Sequence, residues 1–337
     1  AQTSLLGKAR ARPDLVRQVV DRARTQGLRA TIATVRTRLN DDIPLGYSGA
    51  GVVVEVGDLV RGVRPGQLVA TAGAGYANHA EFQAVPATLV NGVPEGVAPQ
   101  HACFAAVASV AMHGYRQAEL GPGSKVVVVG LGLIGQLTAR IAMASGCDVV
   151  GVDVNPAAIA RANATGVHGL QESGDATTQA ILEWSRGRGA DAVLITAGTP
   201  GDSRIVRSVA PRCRDRAVIV AIGDIGLDLD RRAFYDAELE LRIARSYGPG
   251  RYDPSYEEWA VDYPAGYVRW TEGRNLEAFL DMLAAGRIAL DDLISHRFDI
   301  GAATKAYELL DNPSVDTTGI ALEHPVSDEP PARTAVR

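Results

Sequence analysis

Cysteine is scarce in this chain of 337 residues: there are three, Cys103, Cys147 and Cys213, and they lie far apart. This number and spacing argue against a disulfide framework and against a zinc ribbon, so a reducing cytoplasm is the expected compartment. No apolar run reaches the ~18 residues that a membrane-spanning helix requires, and no signal peptide is visible. The chain opens on Ala1 rather than Met, which favours a processed or incomplete product.

A strong overall charge is also missing. The net charge is −5 and the pI is about 5.7, so nothing in the overall charge points to a nucleic-acid partner. The first forty residues are the exception, with nine Lys or Arg against two Asp. Residues 12–39 are predicted to be helical, and we favour the interpretation that their basic side chains form a solvent-exposed helical face. The alternative is a basic lid that attracts an anionic substrate, such as a phosphorylated or nucleotide-linked sugar.

The most informative motif is a glycine run that follows four valines. Residues 126–129 are apolar throughout, which is typical of a parallel strand buried on both faces. Gly130 allows the tight turn after the strand, Gly132 lets a pyrophosphate approach the backbone, and Gly135 lets the next helix pack closely. The helix N-terminus then offers free N–H groups to the phosphates. The predicted dinucleotide loop is Gly130, Leu131, Gly132, Leu133, Ile134 and Gly135.

An acidic residue closes the next predicted strand and favours NAD over NADP. Asp153 follows Gly135 by 18 residues, close to the ~20 expected for an acid that accepts hydrogen bonds from the ribose. Its charge would repel a 2′-phosphate. Val154 and Asn155, which come next, are predicted to line the same site. Arg161 is the counterweight, since its guanidinium is within reach of a 2′-phosphate, but we favour a solvated helix residue.

Six strand candidates at α/β spacing predict a doubly wound parallel sheet, with its ligand crevice at the carboxyl ends of the strands. They cover residues 125–129, 148–153, 167–170, 191–196, 217–221 and 241–246. A connecting helix is predicted at 101–119. The loops expected to face the cofactor contain Thr196, Ala197, Gly198, Ile222, Gly223 and Ser246.

The segments on either side have a different pattern. Strands at 52–56 and 80–85, with a turn that leads into a strand at 63–69, predict a small, partly closed antiparallel barrel. Five of the ten tyrosines fall within residues 247–267. We favour the interpretation that these tyrosines both line a ligand site and pack against the protein, rather than only packing. A helix at 276–285, a strand at 295–300 and a helix at 301–310 follow, before a tail that is predicted to be disordered. The predicted substrate wall is Tyr76, Tyr247, Tyr252 and Tyr263.

This order of segments resembles the medium-chain dehydrogenase/reductase superfamily, the alcohol and polyol dehydrogenases. Besides the glycine run, the matching stretches are residues 46–51, 63–69, 79–82, 122–124 and 295–298. Residues 4–10, 12–16 and 246–252 are similar to one branch, in which the dehydrogenase is often fused to a second domain in sugar-modification and polysaccharide biosynthesis. Family members carry about fifty residues more before this point, so the chain is expected to begin inside the first barrel strands.

Some members of this superfamily bind zinc, and this chain lacks residues of their zinc-ligand motif. Zinc members have Gly-His-Glu where this chain has Gly46, Tyr47 and Ser48, so Tyr47 takes the place of a histidine ligand. Counting back from Pro122 puts Ala105 at a further ligand position. Zinc needs three or four ligands held together, so the resemblance is to a zinc-independent member and we expect no metal.

Without a metal, a side chain must polarise the substrate oxygen. Tyr47 is the first candidate, because its phenol could donate to that oxygen and relay the proton, with Ser48 orienting it. His79 is the second candidate, since its pKa range lies near working pH. Ser109 lies one helical turn after Ala105, where family members place a hydroxyl near the nicotinamide. The alternatives are that Tyr47 only fills the metal pocket and that His79 is structural.

These observations predict an α/β protein with a Rossmann domain at 116–247. A GroES-like catalytic domain is predicted at 1–115 and 248–337. The predicted activity is zinc-independent, NAD-dependent hydride transfer to or from a sugar, cyclitol or other polyol-like metabolite. Two alternatives stay open: an NADPH-dependent enoyl or quinone reductase, which Asp153 disfavours, and a non-catalytic NAD-binding protein. The resemblance also implies a homodimer or higher homo-oligomer, paired through the edge strand at 241–246.

Overall fold

The computed structural model describes residues 44–312 and 314–325. The predicted N-terminal helices, the basic segment and the predicted tail beyond residue 325 lie outside these residues. The strands are β1 Ser48–Val52, β2 Leu68–Ala72, β3 Val90–Gly92, β4 Lys125–Val129, β5 Asp148–Asp153, β6 His168–Gln171, β7 Ala190–Ile195, β8 Cys213–Ala221, β9 Glu240–Ile243, β10 Ile294–Asp299 and β11 Gly319–Glu323. The α-helices are α1 Pro99–Ala102, α2 Ala105–Gln117, α3 Leu133–Ala144, α4 Pro156–Ala164, α5 Asp175–Trp184, α6 Arg204–Val209, α7 Arg231–Asp236, α8 Pro254–Glu257, α9 Glu272–Ala284 and α10 Ala303–Leu310.

The central feature is a six-stranded sheet in the order β6-β5-β4-β7-β8-β9, with every neighbouring pair parallel. All six predicted strands are confirmed, with bounds that shift by a few residues. The valines of β4 are buried on both faces, because one face packs into each of two apolar clusters. The strands on one side of β4 are added in the opposite direction to those from β7 onward, so a crevice opens at the carboxyl ends of β4 and β7.

Helix α2 is the predicted connecting helix, and it begins four residues later than expected, after the short helix α1. It is rich in alanine, and most of its residues are buried. Small side chains let α3 and α9 approach α2 closely, and together the three helices form the third apolar cluster, around Met112, Leu276 and Phe279. Because α2 contacts both the sheet and the segments before it, it fixes the cleft between them.

The small sheet contains β1, β2 and β3, all antiparallel. The strand predicted at 52–56 is wrong in position, because β1 ends at Val52. The strand predicted at 80–85 is also wrong. That segment is held by side chains instead of a ladder: Thr71 Oγ1 donates to Gln83 Oε1 at 2.7 Å, and Gln83 Nε2 donates to Asn78 O at 2.7 Å. The strand predicted at 295–300 is confirmed as β10, which pairs in parallel with the unpredicted β11.

No helix within residues 44–312 and 314–325 is long and apolar enough to cross a membrane. The mixed α/β architecture, a doubly wound parallel sheet with a smaller antiparallel sheet, is the fold class that the sequence predicts.

Candidate active site

The three glycines of the motif each meet a different spatial requirement. Gly130 has a φ of +92°, and a Cβ there would lie 2.6 Å from the backbone N of Ala197. A Cβ on Gly135 would lie 1.9 Å from Gly130 O, so the first turn of α3 touches the loop. A Cβ on Gly132 would meet nothing within 4 Å. Two glycines are therefore required by packing, whereas the third keeps a space open.

That open space lies at the beginning of α3. Gly132 is the N-cap residue and makes no side-chain capping bond, so the first-turn N–H groups that follow, at Leu133 and Ile134, have no side-chain cap. Uncapped N–H groups and the positive end of the helix dipole suit a phosphate. Leu131 is fully buried and would touch a Cβ at Gly151, so it anchors the loop to β5.

Asp153 lies at the end of β5 beside this loop. Its Oδ2 accepts from Leu131 N at 2.5 Å, and its Oδ1 accepts from Asn155 N at 2.7 Å. Both bonds fix the carboxylate at the edge of the crevice, and the neighbouring Val154 is exposed. Arg161 is not the solvated residue that we expected, because it bonds Asp316 Oδ2 at 2.6 Å and its side chain is 15 % exposed.

The two predicted loops after β7 and β8 close around the glycine run. Thr196 Oγ1 donates to Gly130 O at 2.6 Å, and Ala197 packs on Gly130. A Cβ on Gly223 would lie 2.0 Å from Ala197 O, whereas one on Gly198 would meet nothing within 4 Å. The crevice is therefore built from three strand ends. Ile222, in the loop after β8, would lie 2.2 Å from a Cβ on Gly114 of α2.

Tyr47, just before β1, lies opposite the loop that follows β9. Its ring stacks on that of Tyr247, with centroids 6.0 Å apart and planes at 30°. Tyr247 is 3 % exposed and Tyr47 is 38 % exposed, so the inner ring supports the outer one. Burial raises the pKa of both phenols above the ordinary value. Tyr47 thus presents a protonated hydroxyl on a ring that is held in place.

Two other predicted residues lie next to Tyr47. Gly73 N donates to Tyr47 O at 3.0 Å, and a Cβ on Gly73 would lie 3.1 Å from the ring of Tyr76. The imidazole of His79 would lie 2.8 Å from a Cβ on Gly46, and burial lowers its pKa. The structure therefore brings Tyr47, Tyr76 and His79 to one place.

The hydroxyl groups of the two predicted serines form hydrogen bonds with backbone groups. Ser48 Oγ donates to Cys103 O at 2.5 Å and accepts from Ala106 N at 3.3 Å, so it ties β1 to the beginning of α2 rather than orienting Tyr47. Ser109 is fully buried, and its Oγ donates to Ala105 O at 2.8 Å within the helix. Both hydroxyls therefore have backbone partners in this structure, and their parts in the chemistry stay predictions.

The tyrosines after β9 divide into two groups. Tyr263 stacks on the buried Tyr256 with centroids 5.6 Å apart, and its hydroxyl donates to Asp253 Oδ2, so it braces the segment. Tyr252 is exposed, and two guanidinium groups lie over its ring. Ser246 has a φ of +52°, a backbone conformation that is uncommon for residues other than glycine.

A buried polar cluster behind Tyr247 was not predicted. Arg251 pairs with Glu257, and its Nε is buried without a hydrogen-bond partner among the described residues. Glu272 is fully buried, and neither of its carboxyl oxygens has a partner there, nor has Asn275 Oδ1. Burial first, and Glu257 second, raise the pKa of Glu272 to about 8. The sequence carries no local signal for these residues, since they meet only in the folded chain.

The residues at the zinc positions do not fit a zinc ion. A phenol and a methyl group, Tyr47 and Ala105, stand at the two positions that the resemblance assigns to ligands. Within the described part of the chain, no three His, Cys, Asp or Glu residues are grouped so that they could hold a metal. The glycine loop, by contrast, fits a dinucleotide: an open glycine, an uncapped helix and a fixed carboxylate lie together.

Several known proteins are similar to this chain in sequence. The family model of the TrkA-N domain matches residues 126–225. The 2-dehydro-3-deoxy-L-galactonate 5-dehydrogenase of Pseudoalteromonas atlantica is 28% identical over 244 residues, 65% of this chain and 70% of the relative. Sorbitol dehydrogenase 2 of Saccharomyces cerevisiae is 28% identical over 297 residues, 78% of this chain and 77% of the relative.

Solved structures share the fold. The alcohol dehydrogenase TADH from Thermus sp. ATN1 superposes with a TM-score of 0.69 at 21% identity, over 83% of this chain and 84% of that one. The galactitol-1-phosphate dehydrogenase from Escherichia coli gives a TM-score of 0.66 at 19% identity, over 82% and 83%. At these identities the likeness establishes the architecture alone.

Proposed function

We propose that this chain, which belongs to the medium-chain dehydrogenase/reductase superfamily, is a zinc-independent, NAD-dependent oxidoreductase. It transfers a hydride between nicotinamide and a secondary alcohol or ketone of a sugar, cyclitol or other polyol-like metabolite. The observation that carries the proposal is the open space at Gly132, with Asp153 fixed at its side and the Tyr47–Tyr247 stack across the cleft. The names of the relatives, a galactonate dehydrogenase and a sorbitol dehydrogenase, support the substrate class.

The choice of NAD over NADP rests on charge. Asp153 holds its carboxylate where the adenosine ribose of a bound dinucleotide would lie, and a 2′-phosphate there would be repelled. Arg161, the nearby cation that we weighed as a phosphate ligand, is paired with Asp316. The residues proposed to hold the dinucleotide are those of the glycine loop, Asp153, Val154 and Asn155, with the loops at Thr196–Gly198, Ile222–Gly223 and Ser246.

The chain's own residues must then handle the proton. When bound, the nicotinamide supplies or accepts the hydride at the carbinol carbon. Tyr47 donates its hydroxyl proton to the carbonyl oxygen in the reductive direction, and its raised pKa keeps that proton in place at neutral pH. In the oxidative direction the same oxygen accepts the alcohol proton only after the phenol has given up its own. His79, with a lowered pKa, is neutral at neutral pH and is the second candidate to exchange it.

A titration with four nucleotides tests the cofactor proposal. We expect NAD⁺ and NADH to raise the melting temperature of the protein and NADP⁺ and NADPH to raise it much less, in preparations assayed for bound zinc. Asp153→Asn keeps the side-chain shape and removes the charge. The dissociation constant of NADPH divided by that of NADH should therefore fall by about tenfold, so that the preference for NADH weakens. A shift with NADPH alone would favour the reductase alternative. No shift with any nucleotide would contradict the proposal.

Replacing Tyr47 by Phe tests the proton donor. The variant keeps the ring that stacks on Tyr247, so NADH binding and the melting temperature should not change. Because the proton donor is lost, kcat should fall by about 10²–10³-fold on a substrate found in a polyol and sugar screen. Tyr235→Phe, which removes the hydroxyl of an exposed tyrosine on α7 outside the predicted site, is the control. Unchanged turnover in Tyr47→Phe would remove this residue from the mechanism.

We also propose domain boundaries, a compartment and an oligomeric state. We assign residues 116–247 to the dinucleotide domain and 1–115 with 248–337 to the catalytic domain. We place the protein in the cytoplasm and expect a homo-oligomer that pairs through β9, which forms the outer edge of the sheet and exposes Ile243. A monomer in light scattering at micromolar concentration would contradict the last point.

A further inference from the structure

The loop that follows β9, residues 245–252, has an unusual backbone. Four of its eight residues have left-handed φ values: Ser246 +52°, Gly248 +108°, Gly250 +108° and Tyr252 +67°. A serine and a tyrosine in this region are strained, and such strain persists only where surrounding contacts fix it. The loop follows the carboxyl end of an edge strand and contains Tyr247, whose ring stacks on that of Tyr47. It is therefore a fixed wall of the cleft.

Two arginines of this loop face the same aromatic ring. The guanidinium carbon of Arg245 lies 4.3 Å from the ring centroid of Tyr252, and that of Arg251 lies 4.0 Å from it. Each contact is favourable by itself, but two like charges on one ring repel each other. An anion bound between the two guanidinium groups would offset this repulsion.

The acidic residues near Arg245 and Arg251 do not neutralise both positive charges. Glu257 pairs with Arg251 and also accepts from Tyr252 N at 2.9 Å. Glu272 is fully buried, and its pKa, raised to about 8, leaves it mainly uncharged at neutral pH. Among the described residues, Arg245 makes no ion pair. The charge on Arg245 is therefore not cancelled by the carboxylates of the wall.

The remaining acids of the segment are directed elsewhere. Asp253 accepts from the hydroxyl of Tyr263 and from Ser255 N at 2.9 Å. Glu258 is exposed, and its charge raises the pKa of Tyr76. Neither acid is paired with Arg245 or Arg251.

One arginine of the pair also lies near the Tyr47–Tyr247 stack. The guanidinium of Arg251 lies 5.4 Å from the ring centroid of Tyr247, whose ring lies against that of Tyr47. Arg251 is therefore one aromatic ring away from the proposed proton donor, and Arg245 shares the ring of Tyr252 with Arg251. Guanidinium groups bind carboxylates and phosphates through paired N–H donors.

We propose that Arg245 and Arg251 form a subsite for a carboxylate or phosphate of the substrate, so that the enzyme acts on an anionic sugar derivative and not on a neutral polyol. This inference rests on the proposed function and names its substrate class. Arg245 supplies the uncompensated charge. Arg251, held by Glu257, supplies a positioned second group of donors.

Binding to the protein with NADH present tests the subsite without requiring turnover. The probes are glucitol, gluconate and glucitol 6-phosphate, which share a carbon chain and differ in charge. Calorimetric titration of the wild type should give at least about tenfold tighter binding of one of the two anions than of glucitol. The preferred anion identifies the group, carboxylate or phosphate.

Two variants complete the experiment. Arg245→Gln should weaken the preferred anion by about tenfold and leave glucitol binding unchanged. Arg231→Gln is the matched control, since Arg231 also lies over a tyrosine, Tyr235, at 5.0 Å but on α7; it should change neither affinity. Equal binding of anions and glucitol, or no effect of Arg245→Gln, would overturn the subsite while the proposed function stands. If NADH binds and none of the three probes does, both the subsite and the sugar-like substrate are overturned.

Discussion

Replacing Gly132 by alanine is expected to leave the stability of the protein without ligand unchanged and to weaken NADH binding by at least about tenfold. The backbone at Gly132 has φ −66° and ψ −170°, which any residue adopts without strain. An added Cβ would meet no protein atom within 4 Å. The space is therefore not needed for folding, and a methyl group in it would obstruct only a bound group that approaches the backbone.

Gly135→Ala is the contrasting variant three residues along. Its Cβ would lie 1.9 Å from Gly130 O, so the loop and α3 must separate. Melting temperature should fall by on the order of 10 °C, and NADH binding should be lost with it. Differential scanning fluorimetry and NADH titration of both variants separate the two effects. A large loss of stability in Gly132→Ala, or unchanged NADH affinity, would contradict the assignment of this space to a dinucleotide.

These glycines show what the sequence could predict. The motif, its strand and Asp153 lie within 30 residues of each other, so their spacing alone reports a local structure with a known ligand. The six strands of the parallel sheet were predictable for a similar reason, because strands buried on both faces appear as continuous apolar runs. Elements of this kind are determined by neighbours in the sequence.

The features that were missed depend on distant partners. Arg161 pairs with Asp316, and Ser48 bonds Cys103, each across more than fifty residues. No local pattern carries such contacts, so Arg161 was expected in solvent and Ser48 beside Tyr47. The segment at 80–85 failed differently: its alternation is typical of a strand, but bonds to the side chain of Gln83 replace the backbone ladder.

The same limitation explains the buried cluster behind Tyr247. Glu272 begins α9 after Thr271, and at that position a glutamate is normally a solvent-exposed acid that complements the helix dipole. In the folded chain it is fully buried instead, near Glu257 and Arg251. Its burial is a property of the tertiary structure, and it has a measurable consequence for stability.

Glu272→Gln is expected to make the protein more stable at alkaline pH and to have little effect at pH 5. The unfolded chain loses this proton near the ordinary value of 4.5, whereas the folded chain holds it up to a pKa of about 8. Between these values the folded state binds one proton more, so the free energy of unfolding of the wild type falls as pH rises and levels off above about 8. Glutamine is uncharged at every pH, so the free energy of unfolding of the variant does not fall in this way as pH rises.

The melting temperature of Glu272→Gln should therefore exceed that of the wild type by on the order of 5 °C at pH 9. Glu277→Gln is the matched control, because Glu277 is exposed on the same helix; its melting temperature should follow the wild type at both pH values. An equal difference at pH 5 and pH 9 would mean that ionisation of Glu272 is not the cause. Ionised Glu272 would also add a negative charge beside Arg251, so anion binding by the wild type should weaken above pH 8 while Glu272→Gln retains it.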